Sequence, residues 1–195
     1  MAQIDLKSGA FQGSIVPATL TADRTYTLPD SDGTLGGKIG QVLQVYKTDA
    51  FTLSTSTTWT DITDLTLAIT PVATSSKILI MSSIFHSSDA YGGSLYFRFV
   101  RTTTAIGIAD AAGSRPLTSF TSYVGDVTAT GAEVSTDMSG NTFLDEPITT
   151  SATTYKIQGF IGGTTQYVNR SIRDNDGAGY DPRGSSSLTL MEVLV

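Results

Sequence analysis

The chain has no cysteine and only one histidine, His86, in 195 residues. The first absence removes disulfides, thiolate metal sites and thiol nucleophiles together. The second leaves a Ser-His-Asp arrangement little to build on, and no serine stands in a Gly-x-Ser-x-Gly frame. Charge is scarce as well, at 15% of residues against about 25% in an average globular protein. With 12 basic and 18 acidic side chains, no face can be strongly basic, which sets aside nucleic-acid partners held by clustered Lys and Arg. No apolar run reaches the roughly 18 residues of a membrane span. Asp5 and Lys7 stand where a signal peptide needs an apolar stretch, so a soluble protein without membrane insertion or export signal is expected.

Hydroxyls take the place of the missing charges. There are 31 Thr and 22 Ser, a little over a quarter of the chain. Helices usually carry Glu, Lys and Arg on their surfaces, whereas β-branched and hydroxyl side chains suit strands. The composition therefore predicts an all-β protein. An apolar share of 39% and a net charge of -6 also disfavour disorder.

The pattern along the chain changes near residue 38. Before it, Ile4, Leu6, Phe11, Ile15 and Val16 are spaced among Gly, Pro and Ser, too sparsely for a core of their own. Residues 1–38 read as an N-terminal arm that orders against a sister subunit or a larger assembly, and residues 39–195 as the β domain. Period-two alternation then begins. Leu95, Phe97 and Phe99 fall on one face of a strand, with Tyr96, Arg98 and Val100 on the other. Further runs at Gln41 to Tyr46, Leu65 to Thr70, Lys77 to Phe85, Ala105 to Ile108, Tyr155 to Ile161 and Tyr167 to Ile172 are separated by turn residues. This spacing predicts an antiparallel sandwich or barrel.

The last run, Ser187 to Val195, is apolar on both faces and broken only by Glu192. An apolar edge strand invites aggregation, so this strand is expected at the centre of a sheet, with one face on a partner subunit. Leu188, Leu190, Met191, Val193 and Val195 are its candidate oligomer-interface residues.

Chemistry is thinly represented. His86 ends an apolar strand and reads as structural; a metal shared by symmetry-related copies is the alternative. Asp174, Asp176 and Asp181, among glycines, offer spaced oxygen ligands and are weak calcium candidates, although the bidentate Glu of an EF-hand is missing. A plain Asp-Gly turn is the competing reading. No other cofactor is expected, and enzyme activity is not expected either. Aromatic residues set in polar loops, Tyr91, Tyr123, Tyr167 and Tyr180, with Arg170 and Arg173 beside the Asp174 loop, form a mixture suited to glycan or protein surfaces.

Several segments carry a family resemblance. Tyr26-Thr-Leu-Pro-Asp-Ser-Asp-Gly-Thr-Leu35 resembles a segment recurrent in tail fibres and related virion proteins of tailed bacteriophages, especially those of cyanobacteria and marine bacteria. Gly40 to Val45, Ile69 to Ile80 and Ser187 to Glu192 are similar to the first strand, a loop-to-strand signature and the last strand of their distal domain. The resemblance implies a homotrimer of jelly-roll-like knobs, joined by the arm to other virion proteins of the tail, baseplate or capsid. It implies host attachment through surface glycan for a tail fibre, and no receptor residues carry over. A capsid decoration protein and, from another class, a small glycan-active enzyme are the competing readings.

Overall fold

The computed structural model describes residues 38–54, 58–88, 94–123, 135–162, 165–176 and 179–195, together with the backbone of 4–8 and 11–15. The chain forms two units, Met1–Gly36 and Gly37–Val195. In the first, β1 (Ile4–Ser8) and β2 (Phe11–Ile15) pair antiparallel with Ile4 opposite Ile15, so this part of the expected arm doubles back on itself. Of Ile4, Leu6, Phe11 and Ile15 only the backbone is described, and Val16 lies outside the described residues.

The described residues of the second unit form twelve strands and no helix. They are β3 (Ile39–Lys47), β4 (Phe51–Leu53), β5 (Thr60–Ile69), β6 (Lys77–Ser88), β7 (Ser94–Arg101), β8 (Thr104–Ile106), β9 (Phe120–Tyr123), β10 (Asp137–Ser139), β11 (Thr142–Asp145), β12 (Thr153–Ile161), β13 (Gln166–Val168) and β14 (Ser186–Val193). Two antiparallel sheets result. One runs β3-β14-β6-β13-β4, with β10 and β11 also on β6; the other runs β5-β12-β7-β8, with β9 also on β7. The fold is an all-β sandwich.

Alternation explains which faces meet. Ile78, Ile80 and Ile84 of β6 and Leu188 and Leu190 of β14 face Leu95, Phe97 and Phe99 of β7 and Tyr155 and Ile157 of β12, and all are buried. Each large side chain so buried contributes about 1.5–3 kcal/mol. The sheets are also clasped by one buried polar group. Asp145 of β11 accepts from Arg101 Nη1 at 2.9 Å and from the Tyr155 hydroxyl at 2.6 Å, so one carboxylate ties β11 to both β7 and β12. Burial, then the Asp145 hydrogen bond, pushes the Tyr155 hydroxyl far above its ordinary pKa and keeps it a proton donor.

Two strands depart from the simple pattern. Asp64 takes φ 66 within β5, and the pairing with β12 shifts register there, which spaces buried Ile62 and Leu65 three residues apart. The predicted run from Tyr167 to Ile172 stops at Val168. Asn169 adopts φ 63, and its side chain explains the stop: Nδ2 donates to the Lys47 and Asp49 carbonyls while Oδ1 accepts from the Ser186 hydroxyl.

The last strand lies between β3 and β6, as its two apolar faces predict. Its faces divide differently from the expected interface. Leu188 and Leu190 are 0% exposed in the protomer's own core and have nothing to offer a partner. Glu192, an interruption in the sequence, is buried too; its carboxylate accepts from Gln41 Nε2 at 2.8 Å and from the Val72 amide at 2.7 Å.

Candidate functional site

The loop candidates fall in two places. Tyr167, Arg170, Arg173 and Tyr180 belong to β13 and the β13–β14 connection, whereas Tyr123 ends β9 in the other sheet. Tyr91 lies outside the described residues.

The β13–β14 connection is a charge-laced loop. The Arg170 guanidinium lies 4.1 Å over the Tyr167 ring, and the Arg170 carbonyl accepts from Ser87 of β6. Arg183 forks onto Asp174 at 2.6 and 2.8 Å, and Arg170 approaches the same carboxylate at 3.4 Å. Arg173 forks onto Asp181 at 2.6 and 3.0 Å, and Ser171 adds a bond at 2.7 Å. The hydrogen bond from Arg173, then that from Ser171, holds the Asp181 carboxyl below the usual range. These pairings hold the loop in shape and leave the exposed Tyr180 ring at its surface.

They also engage two of the three calcium candidates. Asp174 and Asp181 face guanidinium groups, and Asp176 is exposed apart from both pairs. Among the described residues no three His, Asp or Glu side chains converge as a metal site. His86 is 0% exposed on the inner face of β6, so copies of it cannot meet at a symmetry axis.

Two surface features emerge from strand register that the sequence reading did not assemble. The first is the outer face of the β3-β14-β6 sheet. Met191 is level with Val42 on one side and Leu79 on the other, and Leu79 is level with Leu144 of β11. Val42 and Leu144 are 53% and 44% exposed, and Ile39, Tyr46 and Met138 of the same sheet are exposed as well. An apolar row thus crosses four strands on the solvent side. Met191 and Val193, two of the expected interface residues, lie on this face; Val195, beyond the strand, is exposed.

The second feature is on the opposite sheet. Phe160 of β12 is level with Tyr96 of β7, and Tyr96 is level with Thr121 of β9, two residues from Tyr123. Trp59, immediately before β5, sets its ring 5.3 Å from Phe160, and Tyr96 meets Phe160 edge-on at 5.9 Å. The Arg98 guanidinium lies 4.3 Å over Trp59. A polar row runs beside the rings: Arg98 Nε donates to Gln158 Oε1 at 2.8 Å, and Gln158 Nε2 and Lys156 Nζ each donate to Asp61 at 2.7 Å. Burial opposes the charge on Asp61, but the Lys156 and Gln158 bonds outweigh it and hold its carboxyl below the usual range. Arg98 shifts down through burial, against the pull of Asp61. The alternation of Tyr96 and Arg98 was legible in the sequence. Trp59 and Phe160 were not, because they lie about 100 residues from each other and about 40 and 60 from Arg98 and Tyr96 along the chain.

On the inner side of this sheet, toward β4, an open cleft of about 150 Å³ is lined by Thr52, Leu53, Ser54, Thr58, Thr60, Gly159 and Ile161. A Cβ on Gly159 would stand 2.6 Å from the Leu53 side chain, so glycine lets β12 and β4 approach here.

Comparison of the chain with protein-family models and with curated protein sequences finds no match.

Proposed function

We infer that the chain is a virion structural protein, a short trimeric tail fibre of a tailed bacteriophage. In this reading residues 1–38 attach it to the tail or baseplate. Residues 39–195 form a jelly-roll-like knob that associates with two copies and adsorbs to host surface glycan through its loops, with Tyr123, Tyr167, Tyr180, Arg170 and Arg173 as contacts.

The observation that carries the reading is the unequal dress of the two outer sheet faces. One has the apolar row Val42, Met191, Leu79 and Leu144, which suits a second copy of the chain. The other has aromatic and hydrogen-bonding side chains, which suit a polar ligand. Covering the exposed part of the apolar row gives about 3–6 kcal/mol per face. Association costs about 4–15 kcal/mol, so the interface has to include Ile39, Tyr46 and Met138 around the row. The resemblance at Tyr26 to Leu35 supplies the virion context. Three knobs per fibre then raise weak single contacts to firm attachment through effective concentration.

Two measurements test this. Electron microscopy with a label on the protein is expected to find it at the tail; label on the capsid shell would favour a decoration protein instead. Mass measurement in solution is expected to give a trimer, with Met191→Asp or Leu79→Asp giving folded monomers. A wild-type monomer overturns the assembly.

A further inference from the structure

We propose that the aromatic line of Trp59, Phe160, Tyr96 and Tyr123 is a binding platform for pyranose rings of an extended glycan. This rests on the glycan-adsorption reading above and adds a contact on a sheet face to those on the loops.

The outer face of the β5-β12-β7 sheet is turned to solvent. Elsewhere on this face stand Thr66 and Ala68 of β5, Thr154 and Lys156 of β12, and the covered Val100 of β7. Four aromatic residues gather at one end of it. They sit on four neighbouring chain segments, so at about 4.8 Å per strand the line extends about 14 Å. That length suits a run of rings in a chain better than one small molecule.

A pyranose ring is amphipathic in a matching way. Its face presents C–H groups to the negative face of an aromatic ring, and its edge presents hydroxyls that both donate and accept. The polar row Arg98, Gln158, Asp61 and Lys156 runs alongside the rings, about two residues further along the strands. Donors and a carboxylate therefore lie at the edge of a stacked sugar. Carboxylate Asp61 and the net charge of -6 make this face unsuited to a polyphosphate backbone.

Trp59 is the sole tryptophan, so its fluorescence reads the platform directly. The full chain is titrated with soluble hexasaccharides built on glucose, galactose and N-acetylglucosamine. At least one is expected to change the emission saturably, with half-saturation in the millimolar range. Phe160→Ala and Tyr96→Ala are expected to weaken that binding tenfold or more. Tyr123→Ala, at a 60% exposed position that cannot disturb the core, is expected to weaken it several-fold. No emission change with any hexasaccharide overturns the platform, and so does a change that survives all three substitutions. Adsorption of the labelled wild-type protein to bacterial cells is measured in parallel. Adsorption that persists in the three variants removes the platform and keeps the attachment reading, whereas hexasaccharide binding without adsorption removes the attachment reading and keeps the platform.

Discussion

Replacing His86 by leucine tests the account of the interior. The imidazole is 0% exposed, packs 5.8 Å from the Phe97 ring, and has no hydrogen-bond partner among the described residues on either Nδ1 or Nε2. Burial lowers its pKa from 6.5 to about 4, with Asp137 across on β10 pulling weakly the other way. The folded state therefore keeps His86 neutral where the unfolded chain takes up a proton. Stability from this group is fully present above pH 6.5 and is lost as pH falls from 6.5 toward 4. At about 1.4 kcal/mol per pH unit the whole loss is about 3 kcal/mol, and about 2.5 kcal/mol of it falls between pH 7.5 and 4.5. Urea unfolding of wild type and His86→Leu at these two values isolates it, because the carboxylates common to both proteins cancel. The variant is expected to be at least as stable as wild type at pH 7.5, since two unpaired buried nitrogens are removed. It is also expected to lose about 2.5 kcal/mol less on acidification. Equal acid sensitivity in the two proteins refutes the reasoning. So does a variant several kcal/mol weaker at pH 7.5, which shows that the ring nitrogens are hydrogen-bonded.

Other substitutions probe single devices of the fold. Asn169→Ala removes three side-chain hydrogen bonds and the residue type that tolerates φ 63, and is expected to cost about 3 kcal/mol or more in chemical denaturation. Tyr155→Phe takes one donor from buried Asp145 and is expected to cost about 1.5–3 kcal/mol by the same assay. Ile148 is 74% exposed yet holds φ 51, which is costly for a β-branched residue, so Ile148→Gly is expected to raise stability by about 1 kcal/mol. If Ile148→Gly is destabilising, the residue makes a contact that offsets its backbone strain. Gly140→Ala brings a Cβ onto the Ser82 carbonyl oxygen, where backbone must move, and is expected to cost about 1–3 kcal/mol in thermal unfolding.

What the sequence determined by itself was the class of structure. Hydroxyl-rich alternating runs are locally incompatible with helix and locally suited to a pleated, half-buried surface. The final strand also declared its central place, because both faces of Ser187 to Val195 are apolar. Local pattern could not say which face points inward, since that depends on what lies across the sandwich. Tertiary structure sent Leu188 and Leu190, two of the five interface residues read from sequence, into the core and turned Met191 and Val193 outward. It also decided that Glu192 is a buried acceptor for Gln41 and Val72, a pairing across more than 100 residues. Conspicuous loop tyrosines drew attention because tyrosine among glycines is visible locally. The aromatic line of Trp59, Phe160 and Tyr96 depends on the strand order β5-β12-β7, and only the closing of that sheet brings the three rings level. Alternation is a property of neighbours in the chain. A binding face is a property of neighbours in space.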